Sequence, residues 1–409
     1  MRPPLEGIRV LDFGWIWSGP LVATTLAEFG AEVIKVEHRG RLDNMRLRGH
    51  PVKEGKRVEG PTEELNPYFN QINHNKASIT VNLKDRRGVA LLHRLVAISD
   101  VVTENLTPGA LSRNELGFEA LSRINPRLVM LSMASAGQTG PMNSFRAYAP
   151  IMSSYCGLES VVGYPGEPPI GMMNFGYGDP NAAVHALLPL LGALYEREET
   201  GKGQYIDMSQ IEALVSVMPE PILEWQMSGT VPQPQGNRNP AMAPHGVFPC
   251  RGDDRWITLA VPDDDAWRGL LSLPELPPLL HKARYCSAQA RLDGAESIER
   301  ELANWTKEQD RDELAVRLHA VGIAAAPVLS MEERLATETY DHAGLSQTVR
   351  HPYLGDQRLF ATPWVMDKTP PRITSAAPLL GDDNERVFNG LLGLSKAEIV
   401  ELEEAGVIA

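Results

Sequence analysis

Short apolar runs alternate with helix-like segments through the first third of the chain, and this alternation constrains the fold most. Residues 8–13 (IRVLDF) form a strand-like run, and residues 20–29 carry apolar side chains at helical spacing. Gly30 ends this helical segment, and residues 32–37 then alternate apolar and polar side chains like a strand. This order predicts a β-α-β unit, from which parallel sheets are built.

The same alternation continues to about residue 218. Further strands are predicted at residues 78–82, 101–104, 128–133 and 204–209, and further helices at 85–98, 118–125, 180–197 and 211–218. The pattern predicts an α/β fold, in which helices cover the mainly parallel sheet of a Rossmann-like large domain. Ligands of such sheets bind at the carboxyl ends of the strands.

A change of composition suggests a second module. Residues 231–249 contain five prolines and two glycines, which is typical of a linker. We therefore predict a large α/β domain at residues 1–225, a smaller α/β domain at 226–330, and a C-terminal segment at 331–409 that returns to the large domain. Residues 40–66 lack apolar periodicity and are predicted to be a surface excursion.

Charge and cysteine content exclude several classes of protein. The formal net charge of −13 argues against a nucleic-acid partner, which needs a basic face. Cys156, Cys250 and Cys286 are widely separated, so we expect neither a disulfide framework nor a metal site. No run of about 20 apolar residues that could cross a membrane is present, and we expect a cytoplasmic protein without a membrane partner.

One carboxylate has two competing interpretations. The common nucleotide and hydrolase motifs are missing, but the segment FGYGDP places Asp179 between a glycine-rich loop and a long helix. Residue properties alone favour Asp179 as an N-cap, with Pro180 at the first helical position. The alternative is a nucleophile, because Gly176 and Gly178 would let a substrate approach the carboxylate closely.

A series of segments along nearly the whole chain carries a family resemblance. They are residues 5–13, 19–20, 26–37, 73–76, 104–105, 108–109, 116–117, 178–179, 196–207, 236–237, 244–246 and 377–381. In this order and spacing they resemble the class III CoA-transferases (CaiB/BaiF family), which include formyl-CoA transferase, carnitine CoA transferase and α-methylacyl-CoA racemase.

The resemblance implies a covalent mechanism for moving CoA between carboxylic acids. Asp179 would attack the thioester of an acyl-CoA donor, with succinyl-CoA as a candidate, and form first an aspartyl anhydride and then an aspartyl-CoA thioester. Acyl-CoA would be a substrate, and no permanently bound cofactor is expected. The resemblance further implies an interlocked dimer, either a homodimer or a heterodimer with a related subunit.

The resemblance also suggests residues that bind CoA. Arg39, Lys76 and Arg113 would lie near its phosphates, and Asn73 and Asn105 near its nucleotide or pantetheine part. The alternative for the cations is a solvated surface position, which is the commoner fate of Arg and Lys. For residues 73–76 the alternative is a polar turn before a strand.

A second glycine-rich loop is expected to line the substrate pocket. Residues 134–141 follow a strand, and Gly137 and Gln138 would close over the site or only connect two elements. Tyr148 stands where racemases of the family place a histidine base, and Ala149 replaces an Asp common in the transferases. With an ordinary pKa of about 10, tyrosine is a poor base at neutral pH, which argues for CoA transfer.

The size of the acceptor acid depends on the first loop. By the resemblance, formyl-CoA transferase has a Gln where this chain has Trp17. Ile16 and Trp17, with Met172 and Met173, suggest a pocket for a bulky or aromatic acid such as benzylsuccinate. The alternative is that the tryptophan packs in the core.

Two other functions remain open at this point. The first is an acyl-CoA racemase or isomerase of the same family. The second is a noncatalytic CoA-binding subunit of a heterodimeric transferase, against which the retained Asp179 argues.

Overall fold

The structure is a computed structural model, which describes residues 2–49, 51–53, 55–171, 176–336 and 344–409. Its strands are β1 (Arg9–Asp12), β2 (Glu32–Glu37), β3 (Val52–Lys53), β4 (Lys56–Arg57), β5 (Lys76–Thr80), β6 (Val101–Glu104), β7 (Val129–Ala134), β8 (Tyr205–Ser209), β9 (His245–Pro249), β10 (Trp256–Ala260), β11 (Ala324–Pro327), β12 (Ser346–His351) and β13 (Gly355–Phe360).

The helices alternate with these strands in the first half of the chain. They are α1 (Ser18–Glu28), α2 (Pro67–Gln71), α3 (Arg86–Val96), α4 (Phe118–Ile124), α5 (Ala149–Tyr155), α6 (Gly178–Thr200), α7 (Gln210–Val215), α8 (Pro219–Ser228), α9 (Asp264–Leu271), α10 (Ala288–Asp293), α11 (Ala295–Thr306), α12 (Arg311–Ala320), α13 (Met331–Ala336) and α14 (Lys396–Glu404). Short 3-10 turns join several of them.

A six-stranded sheet organises the first half of the chain. Its strand order is β5-β2-β1-β6-β7-β8, and every neighbouring pair is parallel. In order along the chain this is 3-2-1-4-5-6, the Rossmann order. The predicted α/β fold with a mainly parallel sheet is therefore confirmed. The order reverses between β1 and β6, which places the topological switch point at their carboxyl ends.

Apolar side chains on both faces of this sheet form its core. Leu11, Ile34 and Val102 pack with α3 on one face, and Val10 and Val33 pack with α1 and α6 on the other. Because neighbouring residues on a strand point to opposite faces, a strand covered on both faces is rich in apolar residues. This explains why the short runs of the sequence predict these strands well.

The chain divides into two compact units. The larger unit comprises Met1–Leu158, Met172–Met227 and Thr339–Ala409, and the smaller comprises Glu159–Gly171 and Ser228–Glu338. In the smaller unit, the antiparallel strands β11-β10-β9 pack against helices around Trp267 and Leu302. The domain limits proposed from the sequence, with a small domain at 226–330, remain a prediction.

Part of the segment predicted to be a surface excursion is buried. Arg46 is fully buried and forms ion pairs with Glu37 and Glu64, each at 2.8 Å. Its guanidinium also lies 3.9 Å from the centre of the Phe69 ring. The surface prediction was wrong here because a buried ion pair leaves no apolar periodicity in the sequence. The β3–β4 hairpin in the same segment is exposed.

The end of the chain returns to the six-stranded sheet. Asn75 donates to the Arg372 carbonyl at 2.6 Å and accepts from the Thr374 backbone N–H at 2.7 Å. Ser395 and Glu398 form a capping box at the start of α14. Across the described ranges, no helix is long and apolar enough to span a bilayer.

Candidate functional site

A buried ion pair between Asp12 and Lys76 holds the turn that follows β1. Asp12 accepts from the Gly14 backbone N–H at 2.7 Å and from the Thr103 hydroxyl at 3.2 Å. Its other oxygen lies 2.8 Å from the ammonium of Lys76, and both side chains are completely buried. Burial alone would raise the pKa of Asp12, but the charges of Lys76 and Lys35 outweigh this effect and lower it.

A second buried ion pair holds the middle of the β1–α1 loop (residues 13–17). Lys35 donates to the Gly14 carbonyl at 2.6 Å and lies 3.3 Å from the Asp43 carboxylate. Asp43 in turn accepts from the Ile16 backbone N–H at 3.1 Å. Ile16 has a φ of 66°, which is strained for a β-branched residue. Such strain persists only where the surroundings enforce it, and it concentrates at functional sites.

Asn105 closes the switch point from the carboxyl end of β6. Its side chain accepts from the Trp15 N–H at 2.7 Å and donates to the Trp15 carbonyl at 2.8 Å and the Ser18 hydroxyl at 2.9 Å. A β-carbon on Gly19 would lie 2.9 Å from the Asn105 side chain, so only glycine permits this contact. Asn105 therefore fixes the start of α1.

Asp179 lies in the first turn of α6 and does not cap it. The helix begins at Gly178 with Tyr177 at the N-cap position, and no side-chain hydrogen bond caps it. The interpretation of Asp179 as an N-cap was therefore wrong. The helix begins at Gly178, two residues before the predicted start at Pro180. An acidic group in the first turn still interacts favourably with the helix dipole.

The Asp179 carboxyl is partly exposed and electrostatically perturbed. Burial raises its pKa to about 6, while the hydroxyl and backbone N–H of Ser18 hydrogen-bond to it and limit the rise. It therefore remains mostly ionised at neutral pH and is more basic than an ordinary carboxylate. The two stretches that meet here, at Ser18 and Asp179, are more than 150 residues apart in sequence.

Trp17 fills space beside the turn that leads into α6. A β-carbon on Gly176 would lie 3.1 Å from the Trp17 ring and 3.3 Å from Ala149. Trp17 and Ile16 are partly buried and pack against a cluster that includes Phe69. Met172 and Met173 lie outside the described residues.

Lys76 and Asn73, two of the residues proposed to bind CoA, are buried. The Lys76 ammonium donates to Asp12, to the Pro20 carbonyl and to Asn73, at 2.8, 2.8 and 2.9 Å. Asn73 is also buried and donates to the Phe69 carbonyl at 3.0 Å. Burial lowers the pKa of Lys76 to about 8, although the Asp12 charge favours the ammonium form.

A cavity lined by two arginines lies at the carboxyl end of β6. This cationic pocket has a volume of about 310 Å³ and is lined by Thr107, Pro108, Arg113, Asn143, Ser144 and Arg146. Arg113 was predicted to lie near phosphates, but Arg146 was missed. The only signal for Arg146 in the sequence is a single cation after a glycine-rich loop, which is too common to single out.

The remaining cations near the β1–α1 loop are exposed. Arg39 is exposed just after β2. Arg41, which sequence reasoning missed, is also exposed, and its guanidinium lies 4.8 Å from the centre of the Trp15 ring. This distance is typical of a cation–π contact, which holds the charge beside the loop.

The glycine-rich loop after β7 is tied to the sheet by Gln138. Gly137 has a φ of 81°, and the Gln138 side chain donates to the buried Glu104 at 3.0 Å. Burial raises the pKa of Glu104 to about 7, and sequence reasoning missed this residue. Tyr148 stands at the N-cap of α5 and is 58% exposed.

The smaller unit contains a separate cavity of about 490 Å³. Its lining includes Tyr164, Asn237, His245, Phe248 and Arg300. Two segments of the family resemblance, residues 236–237 and 244–246, contribute to this lining.

Comparison with known proteins gives matches over nearly the whole chain. The model of CoA-transferase family III matches residues 5–384. A succinyl-CoA–D-citramalate CoA-transferase from Chloroflexus aurantiacus is 32% identical over 409 residues, covering 100% of this chain and 99% of the relative. The succinyl-CoA–L-malate CoA-transferase alpha subunit from Chloroflexus aurantiacus is 30% identical, covering 99% of this chain and 92% of the relative. The crystal structure of a CAIB/BAIF family protein from Brucella suis aligns with a TM-score of 0.84 at 27% identity, covering 96% of this chain and 100% of that chain.

Proposed function

Because this chain belongs to CoA-transferase family III and is an enzyme that transfers CoA, we propose that it moves CoA from succinyl-CoA to a dicarboxylic acid through covalent intermediates on Asp179. One observation carries this proposal: a partly exposed carboxylate with a pKa of about 6 lies at the switch point of the sheet, beside Ser18. Ligands of such sheets bind at that place.

The first step is attack of the Asp179 carboxylate on the thioester carbonyl of the donor. A bond forms between the Asp179 oxygen and the acyl carbon, and the C–S bond breaks, which gives an aspartyl succinyl anhydride and CoA thiolate. A pKa of about 6 suits this step, because the group is ionised at neutral pH yet more basic than an ordinary aspartate. Ser18 holds the attacking carboxylate in place.

The CoA thiolate then attacks the anhydride, and the acceptor acid replaces succinate. The thiolate attacks the Asp179 carbonyl of the anhydride, which releases succinate and leaves an aspartyl-CoA thioester. The acceptor carboxylate attacks this thioester and gives a second anhydride and CoA thiolate. Attack of the thiolate on the acceptor carbonyl forms the new acyl-CoA and regenerates the Asp179 carboxylate. No proton is gained or lost over the cycle.

The cationic pocket is our proposed position for the phosphates of CoA. Arg113 and Arg146 both line it, and it opens between the loops that follow β6 and β7. Guanidinium groups bind phosphate oxygens in a bidentate manner. Arg39 and Arg41 would contribute at the exposed rim, whereas we assign Lys76 and Asn73 to holding the β1–α1 loop.

The acceptor is proposed to be a dicarboxylic acid of the succinate type. The relatives are named for succinyl-CoA with D-citramalate or L-malate, which are both dicarboxylic acids. Benzylsuccinate belongs to the same chemical class and carries an aromatic substituent. The position of Trp17 beside Gly176 supports a role for this ring in setting the size of the acceptor.

Transfer is favoured over racemisation by the residue at position 148. Tyr148 is largely exposed, and a tyrosine is a poor base for abstracting a proton at neutral pH. The retained Asp179 likewise favours a catalytic chain over a noncatalytic subunit. We propose that the chain works in the cytoplasm as a dimer, with itself or with a related subunit.

An assay of the purified chain tests this function. Succinyl-CoA is offered with succinate-type acids and with monocarboxylic acids, and new CoA esters are detected by mass spectrometry. We expect transfer to a dicarboxylic acid by the chain alone and loss of at least about a thousandfold in Asp179→Asn. The matched control is Asp253→Asn at an exposed position, which should retain full activity. Full activity in Asp179→Asn would refute the proposal.

A further inference from the structure

Three polar residues lie side by side on the neighbouring strands β6, β7 and β8. In the parallel register, Glu104 pairs with Ser132, and Ser132 pairs with Asp207. Directly paired residues point to the same face of a sheet. Two carboxylates thus flank one hydroxyl along a single row. Glu104 is buried at 4% exposure, which is costly for a carboxylate without hydrogen-bond partners.

Gln138 bridges the two carboxylates of this row. Its side-chain N–H donates to Glu104 at 3.0 Å, and its backbone N–H donates to Asp207 at 2.8 Å. The second oxygen of Glu104 accepts from the Leu106 backbone N–H at 2.7 Å. Both carboxylates therefore act as acceptors that anchor the loop after β7.

The bridge continues from Gln138 to the cationic pocket. The Gln138 side-chain oxygen accepts from the Gly109 backbone N–H at 3.2 Å. The neighbouring Pro108 carbonyl accepts from the Arg113 guanidinium at 3.3 Å, and both of these residues line the pocket. A continuous series of contacts thus runs from Glu104 through Gln138 to Arg113.

We propose that Glu104 is a positioning residue for acyl-CoA binding, which holds Gln138 and through it the Pro108–Arg113 side of the cationic pocket. This inference rests on the proposed function, because it takes the pocket as the phosphate site. It assigns Glu104 to the affinity for CoA and its esters and gives it no part in the covalent steps on Asp179. Asp207 assists by holding the backbone of the same loop.

The charges around Glu104 make this affinity depend on pH. Burial raises the pKa of Glu104 to about 7, and the Asp207 charge adds to the rise, while hydrogen bonds from Ser132 and Leu106 oppose it. Tyr205, two residues before Asp207 on β8, is another titratable group beside the row, and burial together with both carboxylates raises its pKa. The ionised form of Glu104 accepts from Gln138, so the contact weakens as the pH falls through about 7.

The test compares binding with turnover. In Glu104→Gln we expect the KM for succinyl-CoA at pH 8 to rise about tenfold, with kcat changed less than about twofold, because the acceptor of the Gln138 hydrogen bond loses its charge. Gln138→Met should have the same effect, and the double variant should be no weaker than either single one. The dissociation constant of CoA itself, measured by calorimetry, should rise in the wild type from pH 8 to pH 6 and stay constant in Glu104→Gln.

The control and the contrary results separate this inference from the proposed function. Glu119→Gln changes an exposed carboxylate on α4 and should behave as wild type. The inference is overturned if the effects of the two single variants add, if kcat falls while KM is unchanged, or if Glu104→Gln keeps the pH dependence of CoA binding. Should Glu104→Gln fail to fold, Gln138→Met with the CoA titration decides alone. A wild type that binds CoA but transfers none would refute the proposed function, and the pH dependence of CoA binding in the wild type and in Glu104→Gln would then test this inference.

Discussion

The Lys76 ammonium lies 2.8 Å from the Asp12 carboxylate, and neither side chain is exposed to solvent. This pair joins the end of β1 to the start of β5 and lies directly below the turn at Gly14. The β1–α1 loop above it carries Trp17 and leads to Ser18, the residue that contacts the proposed nucleophile. The pair therefore supports the site without being part of its exposed surface.

Removal of one partner of this pair should strongly destabilise the protein. Lys76→Met leaves the Asp12 carboxylate buried without its cation, and we expect a loss of about 3–5 kcal/mol in the free energy of unfolding. The double variant with Asp12→Asn should lose less than the sum of the two single variants. Urea unfolding measures these values, with the exposed Lys84→Met as control. A loss in Lys76→Met no larger than in the control would show that the pair contributes nothing.

Loss of the Ser18 hydroxyl should shift the pH dependence of the reaction. This hydroxyl hydrogen-bonds to Asp179 and lowers its pKa, so Ser18→Ala should move the acid limb of the kcat profile to higher pH. The wild-type limb itself should lie near pH 6, with activity lost as Asp179 takes up a proton. Stopped assays from pH 5 to 8 measure both limbs. If the acid limbs of the wild type and of Ser18→Ala coincide, Ser18 does not hydrogen-bond to Asp179.

The ionised Asp179 should lower stability above its pKa. Its pKa of about 6 in the folded state exceeds the reference value of 3.8, so the folded chain retains a proton that the unfolded chain has lost between these pH values. The contribution of Asp179 to stability should therefore fall from about pH 4 to pH 6 and then remain level. At pH 8 Asp179→Asn should be more stable by about 2 kcal/mol after allowance for partial exposure. Urea unfolding at pH 4 and pH 8 checks this, and an equal difference at both pH values would contradict it.

Trp17 should control the size of the acceptor. If its ring borders the acceptor site, Trp17→Ala should raise the ratio of kcat/KM for benzylsuccinate to kcat/KM for succinate by about tenfold or more. Competition assays with both acids measure this ratio directly, and Trp225→Ala at an exposed position is the control. An unchanged ratio together with lower stability would assign Trp17 to packing alone.

The sequence predicted the parallel sheet well because each of its strands is a local feature. Residues 8–13 and 32–37 contain β1 and β2, because a short apolar run and an alternation of apolar and polar residues are both visible within a few positions. Asp179 was also found locally, from a carboxylate between glycines and a helix. Its role as a cap was predicted wrongly, since α6 begins at Gly178, which places Asp179 inside the first turn.

The contacts that organise the site could not be predicted, since they join residues far apart in the chain. Glu104 and Gln138 are 34 residues apart, and Lys76 and Asp12 are 64 apart. A buried Lys or Arg has the same appearance in a sequence as a solvated one. For this reason Lys76 was expected near a phosphate, while the burial of Arg46 went unnoticed.

Chemical trapping of the intermediate tests the covalent role of Asp179 most directly. The purified chain is mixed with succinyl-CoA, quenched with hydroxylamine, digested and examined by peptide mass spectrometry. We expect a hydroxamate on residue 179, which requires both succinyl-CoA and an intact Asp179 and is absent from Asp179→Asn. An unmodified residue 179 in a chain that is turning over, with the hydroxamate on another side chain, would contradict the account.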